Sequence, residues 1–349
     1  MPSIFGFVVK EALDSNGGHP PLDSKRCINS KQGRVKCSAC SQICAGGAIV
    51  DAAKGKADWS KCISCGLCTV VCPSGALGFA DYKLSRMKKM LSDNKETHTL
   101  SCPYAQADAD GKAWCVASYH WEQIAALALQ GKVEIIRGDC ANCERREKLA
   151  CFDQTLEQVH RFLGDEVYNS CVVLREKGEC APKEVSRREL FGKFIPSVRK
   201  KRAESGFQAK EYGTDGLAVR RMLADVVKLQ EEPEREYTWL MPAFTDSCWA
   251  CGICSKVCPN EAIKPKEKDG VWRMVCSPMK CTGCGICENV CMYGGIKGLK
   301  EVKLAAGKRV AVHKVQAQIC PECGAAVQPG SEYELCLRCR AIQKNKKKK

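Results

Sequence analysis

Residues 62–73 read C-I-S-C-G-L-C-T-V-V-C-P, which places Cys62, Cys65, Cys68 and Cys72 at spacings of two, two and three residues, with Pro73 behind them. Three thiols on one tight loop match three corners of a four-iron cubane. The fourth, beyond a short helical turn, reaches a neighbouring cluster. The proline ends the loop and turns the chain away. Four unrelated buried cysteines would not fall at this spacing.

Such a run needs a partner that supplies the mirror-image ligands. Upstream stands C-S-A-C-S-Q-I-C-A-G-G-A-I, with Cys37, Cys40 and Cys44. With Cys44 as the fourth ligand, the first falls at Arg34, which cannot ligate iron. Cys27 lies beyond the loop NSKQGRVK and reaches back if that loop turns at Gly33. The expected sets are therefore Cys27, Cys37, Cys40 and Cys72 for one cubane, and Cys44, Cys62, Cys65 and Cys68 for the other. The rival reading leaves Cys27 free beside a three-iron cluster or none.

Residues 248–291 repeat the theme with both runs complete: Cys248, Cys251, Cys254 and Cys258 before Pro259, then Cys281, Cys284, Cys287 and Cys291 before Met292. Crosswise pairing assigns Cys248, Cys251, Cys254 and Cys291 to one cubane and Cys258, Cys281, Cys284 and Cys287 to the other. Cys276 reads as a packed thiol. Both blocks, about 27–80 and 243–300, resemble the bacterial-type two-cluster 2[4Fe-4S] ferredoxin family, a pseudo-symmetric fold of β-hairpins and helices. That resemblance implies single-electron transfer rather than substrate turnover.

Cysteine also sets the class of the whole chain. The 28 cysteines among 349 residues, about 8%, far exceed ordinary usage. The start, MPSIFGFVVKEALDSN, turns polar by Lys10, so no secretory signal is expected, and no run of 18 apolar residues offers a membrane span. A cytoplasmic location follows as the expectation, extending to peripheral attachment at a membrane. Reduced cytosolic thiols then serve as ligands rather than disulfides. The formal charge of +15 counts cysteines as neutral. A four-thiolate cubane or zinc each carries about −2, so six such sites would leave about +3. The basic excess mainly balances cluster charge and argues against nucleic acid as a partner.

Between the two blocks, Thr97–Cys102 ends a short strand, and a polar loop leads to Cys115. Tyr119–Gln130 has helical spacing at Ile124, Leu127 and Ala128, and Val133–Ile136 forms a strand delivering Gly138-Asp139-Cys140 and Cys143. LEQVHRFLG continues as a helix, and Val167–Leu174 is expected as a further strand. The order predicts an open parallel α/β sheet with its cysteines after strand ends, where such sheets bind ligands.

Residues 97–163 resemble the delta subunit of methyl-viologen-reducing hydrogenases, a small iron–sulfur domain linking hydrogenase to heterodisulfide reductase. The shared points are the strand-end cysteine followed by Tyr-x-x-Ala-Asp, a cysteine before a helix, and Gly-Asp-Cys after a strand. The family's paired cysteine in the first motif is only Cys102 here. Carried over, Cys102, Cys115, Cys140 and Cys143 hold one further iron–sulfur cluster, with [2Fe–2S] as one form. A zinc site or two redox thiol pairs are the rivals. Cys151, Cys171 and Cys180 fit no ligand spacing.

The connector of 176–240 is charged and broken by Pro182 and Pro196; an amphipathic helix with Leu190, Phe191 and Phe194 is expected to dock on a partner. Ser186-Arg187-Arg188-Glu189-Leu190-Phe191 imitates a twin-arginine export signal, but it is internal and no apolar region follows. Val219–Gln230 reads as a second helix. At the C-terminus, Cys320, Cys323, Cys336 and Cys339 form two pairs on opposed hairpin turns. This arrangement resembles a zinc ribbon, with a rubredoxin-like iron site as rival. The tail KNKKKK reads as disordered.

The expected class is an α+β multidomain chain. A dicluster module (1–90), an open α/β iron–sulfur domain (91–175), the charged connector (176–240), a second dicluster module (241–305), and a zinc ribbon with basic tail (306–349) follow in order. The expected cofactors are four [4Fe-4S] clusters, the further central cluster and Zn2+. No GxGxxG loop or flavin fingerprint is visible, and His19, His98, His120, His160 and His313 are scattered without metal spacing. The leading expectation is an electron-transfer subunit of an anaerobic oxidoreductase complex. Its partners would be a catalytic subunit of flavin, molybdopterin or hydrogenase type, and an electron donor or membrane anchor. The alternatives are a reductase of a small sulfur-containing or anionic substrate at the central cysteines, and a nucleic-acid-associated iron–sulfur protein.

Overall fold

The computed structural model describes residues 19–31, 36–79, 81–93, 95–105, 110–112, 115–140, 142–143, 149–176, 207, 210–230, 235–305 and 307–346. Gly33, Arg34, Cys180, Pro182, the 186–196 motif and Pro233 lie outside them. The chain forms two compact units, one of Met1–Ser30 with Cys37–Arg235, the other of Lys31–Lys36 with Glu236–Lys349. Among the described residues, no helix is long and apolar enough to cross a membrane.

The first unit opens with short helices α1 (Ile28–Lys31) and α2 (Ala39–Ile43), a small hairpin of β1 (Ile49–Asp51) and β2 (Lys56–Ala57), and α3 (Leu67–Val71). A bridge from Leu22 to Leu77 closes this part, supported by the Asp23 N–H donating to the Ala76 carbonyl at 2.8 Å. Helix α4 (Asp81–Ser92) leads into β3 (Thr97–Ser101), β4 (Gly111–Lys112), α5 (Trp121–Ala128), β5 (Lys132–Ile136), α6 (Leu149–Leu163), α7 (Asp165–Cys171) and β6 (Val172–Arg175).

Strands β4-β3-β5-β6 form a sheet in which every pairing is parallel. Its central strands are almost wholly buried, as strands covered on both faces must be. The expected strand over 167–174 starts only at Val172. Asp165 and Glu166 instead open a helix behind Gly164, where acidic side chains favour the N-terminal dipole.

Helix α8 (Ala218–Lys228) shows a buried stripe at Val219, Met222, Leu223 and Val226 and packs on α5. The connector's second helix is thus part of the first unit. Between α5 and α8, Glu122 and Arg220 pair at 3.2 Å with only 9% and 10% of their side chains exposed. The Arg220 guanidinium also lies over the Trp121 ring, 5.3 Å from its centroid. Burial pushes the Glu122 carboxyl up against the pull of Arg220, so desolvation outweighs the attraction within the pair.

In the second unit, β7 (Glu236–Phe244) precedes α9 (Ile253–Val257), β8 (Ile263–Lys268), β9 (Val271–Cys276), α10 (Ile286–Asn289), β10 (Ile296–Ala305), β11 (Val310–Gln316) and α11 (Leu337–Lys346). Strands β8 and β9 join through Asp269-Gly270, both with positive φ, which suits a two-residue hairpin turn. Strand β10 pairs antiparallel with β7, and β11 adds to β9, so residues 310–316 extend the second module's sheet. Met241, Trp249, Ile263, Trp272, Met274 and Ile296 form its core. Of the tail, Lys344 to Lys346 are not disordered but complete α11.

Glu122→Leu, which leaves Arg220 buried without its partner, is expected to cost about 3–5 kcal/mol in urea denaturation. Adding Arg220→Met should recover most of that loss; equal losses in the single and double variants would show that the pair is not the cause.

Candidate metal centres

One local device is repeated four times. The last cysteine of each run, Cys44, Cys72, Cys258 and Cys291, accepts at Sγ the backbone N–H four residues on. The donors are Ala48 at 3.2 Å, Ala76 at 3.2 Å, Ala262 at 3.3 Å and Gly295 at 3.2 Å. The chain reaches this geometry through a left-handed residue three places after each cysteine: Gly47, Gly75, Glu261 and Gly294, with φ of 64°, 66°, 50° and 64°. Cys44 therefore stands as the fourth member of its run although the first member is missing.

The three complete runs share a second device. Ser64, Ala250 and Gly283 precede the second cysteine with φ of 54°, 61° and 71°, and Gly66, Gly252 and Gly285 follow it with φ of 76°, 76° and 72°. Ser64 and Ala250 hold a conformation that side chains avoid, a strain typical of functional loops. In the incomplete run Ser38 stands in place of that glycine, with φ of −122°.

Tertiary packing then gathers the thiols. Cys27, Cys37, Cys40 and Cys72 line one cavity. Burial first, then Cys72, Cys37 and Cys27, push the Cys40 thiol up to about 11. Cys68 is pushed up to about 12 by burial and then by Cys65, Cys44 and Cys62. In the second module Cys248, Cys251, Cys254 and Cys291 line a cavity. Cys287 rises to about 12 through burial and then Cys281, Cys284 and Cys258. Cys276 is fully buried in the core and also hydrogen-bonds Cys281, a contact its lack of spacing could not announce.

Sequence reasoning missed what holds Cys27 in place. The Asn29 side chain grips the Cys37 backbone, its Nδ2 donating to the Cys37 carbonyl and its Oδ1 accepting the Cys37 N–H, both at 2.7 Å. This two-point clamp does the positioning that a first cysteine at Arg34 would have done. No periodicity marks Asn29.

In the central sheet, β4, β3 and β5 direct their carboxyl ends to one edge. Cys102, Cys140 and Cys143 are electrostatic neighbours there, burial and then Cys102 raising the Cys140 thiol. Gly138 permits the close approach: a Cβ on it would stand 3.1 Å from Cys102 Sγ. Cys115 stands at the start of a turn, its carbonyl accepting the Ser118 N–H at 3.0 Å and hydroxyl at 2.8 Å. Cys151 lies half-buried in α6 and Cys171 at the end of α7.

At the C-terminus, the Sγ atoms of Cys320, Cys323, Cys336 and Cys339 all lie within 4.8 Å of one another, a separation suited to a single ion. The first pair occupies a knuckle between the bridged residues Ile319 and Ala326, with Gly324 at φ 68°. The second pair does not sit on a hairpin as expected. Cys336 precedes α11 and Cys339 lies in its first turn, where the Cys323 side chain first, then burial, raise its thiol to about 12. Backbone N–H groups, that of Cys336 first, lower the Cys320 thiol to about 6.

The histidines have structural roles. His19 stacks on Trp59 with centroids 4.3 Å apart, His160 meets Asp165 at 2.6 Å, and His313 Nε2 lies 2.8 Å from the Cys248 carbonyl. His98 and His120 are buried.

Comparison with known proteins agrees with the cysteine patterns. The family described as 4Fe-4S dicluster domain matches residues 247–295, and that described as 4Fe-4S binding domain matches residues 56–78. No curated protein and no solved structure matches the chain. The chain therefore carries two iron–sulfur regions of ferredoxin type, a class that suggests electron transfer.

Asn29→Leu should remove about four irons from the reconstituted chain and expose Cys27 and Cys37 to alkylation. Asn29→Asp, which keeps the acceptor, should lose less. Unchanged iron content in Asn29→Leu would show that the clamp does not hold the site.

Proposed function

We propose that this chain is an iron–sulfur subunit that relays single electrons within a multi-subunit anaerobic oxidoreductase. The observation that carries the reading is the fourfold repeat of a thiol accepting a backbone N–H, which supports four cysteine sets arranged crosswise in two modules. Four thiols per set suit a cubane, and the N–H groups beside them offer hydrogen bonds to its sulfur ligands. When bound, [4Fe-4S] clusters supply one-electron redox steps. The protein's part is to hold them, shield them from water and set their order. Cys102, Cys115, Cys140 and Cys143 would hold one further cluster, and Cys320, Cys323, Cys336 and Cys339 a structural Zn2+.

The partners proposed are a catalytic subunit of flavin, molybdopterin or hydrogenase type, and a donor or membrane-anchor subunit. The location proposed is cytoplasmic, including the membrane periphery. A reductase would need an open coordination position or a reactive thiol at the central edge. Four thiolates there would leave no position for substrate, so electrons would leave only to another centre.

Anaerobic preparation should yield about 16 to 20 irons and about one zinc per chain. A fully reconstituted chain near eight irons would sink the two-module reading. Cys27→Ser should convert one N-terminal centre to a three-iron form or abolish it, with a changed EPR signal. Turnover of sulfite or a thiol by the purified chain, with an artificial donor and dependent on Cys140, would make the protein a reductase instead.

A further inference from the structure

Lys83 stands in the first turn of α4 with its side chain half-buried. Its ammonium lies against the backbone of Gly66, where a Cβ would stand 2.2 Å from Nζ and 3.7 Å from Cε. Gly66 separates Cys65 from Leu67 and Cys68. Among the described residues, the groups that act most on Lys83 by charge are the thiols of Cys65, Cys68 and Cys62.

A partly buried ammonium facing neutral thiols is unfavourable, because burial removes hydration and a neutral thiol supplies no anion. A cubane on four thiolates carries about −2 and becomes more negative on reduction. A fixed cation beside it stabilises the reduced form more than the oxidised one, and exclusion of water strengthens the effect. We propose that Lys83 is the counter-charge of the centre held by Cys44, Cys62, Cys65 and Cys68, and makes that centre the first of the N-terminal pair to accept an electron.

This inference rests on the cluster reading above and adds an order of potentials to it. The same Gly66 position lies 3.5 Å from Ser118 Cβ, at the end of the turn that Cys115 begins. The cation thus sits where the N-terminal cysteine loop meets the turn that Cys115 begins.

The test uses the full chain, reconstituted anaerobically, with iron and sulfide counted before an EPR-monitored redox titration. Lys83→Met and Lys83→Gln should keep the wild-type iron content while one couple loses about tenfold in electron affinity, a fall of 59 mV for one electron. Lys83→Arg should keep the wild-type potential. Loss of about four irons in the neutral variants but not in Lys83→Arg would also support the counter-charge. Unchanged potentials in both neutral variants would overturn it and leave the cluster reading intact, as would equal iron loss in all three variants. A wild-type chain that fails to load iron on Cys44, Cys62, Cys65 and Cys68 would overturn both, and the count shows this before any variant is compared.

Discussion

Crowding of thiols is the constraint on which the rest of this protein depends. Burial first, and then neighbouring cysteines, raise the thiols of Cys40, Cys68 and Cys287. Four such groups gather only if the backbone both forces them together and offers donors to the sulfur. The N–H donated to Cys44, Cys72, Cys258 and Cys291 does so, and a hydrogen bond to a charged acceptor contributes about 1.5–3 kcal/mol. The positive-φ residues after each of these cysteines are the conformational requirement for that bond. The strained backbone at Ser64 and Ala250 marks where the second cysteine is turned inward.

The N-terminal loop is tied to the central sheet by polar contacts shielded from water. Thr69, one residue after Cys68, donates its hydroxyl to the Gly66 carbonyl at 2.7 Å and lies 3.0 Å from His120 Nε2. With its hydroxyl proton committed, Thr69 accepts from the His120 N–H. Burial first, and then Lys83, hold the imidazole down to about 3, so it stays neutral and bridges loop and helix without adding charge. The cation near the loop is left to Lys83. The Glu122–Arg220 pair then fastens α8 to α5.

Much of the candidate chemistry was legible in the cysteine spacing, because spacing within four residues dictates how a short loop folds. The complete runs at 62–72, 248–258 and 281–291 have the same left-handed positions and the same N–H to sulfur bond. The parallel sheet was legible too, from the apolar residues of β5 and the helix that separates it from β3. Misreadings arose where local propensity was ambiguous. Residues 165–171 contain Val167 and Tyr168 and look strand-like, yet the acidic pair behind Gly164 starts a helix. Cys336 and Cys339 repeat the spacing of a knuckle, yet the residues after them continue as a helix.

From sequence alone came the class of ligand, the grouping into runs and the absence of an apolar span, all properties of composition or short-range spacing. The tertiary structure decided how Cys27 reaches its set, through Asn29 gripping the Cys37 backbone eight residues away. It also decided that Cys276 lies beside Cys281, that α8 belongs to the first unit, and that Lys83 faces the Gly66 loop. Each of these depends on contacts between segments with no shared periodicity. Their geometry is set by the packing of whole elements, and a local pattern carries no record of which distant side chain will be delivered to it.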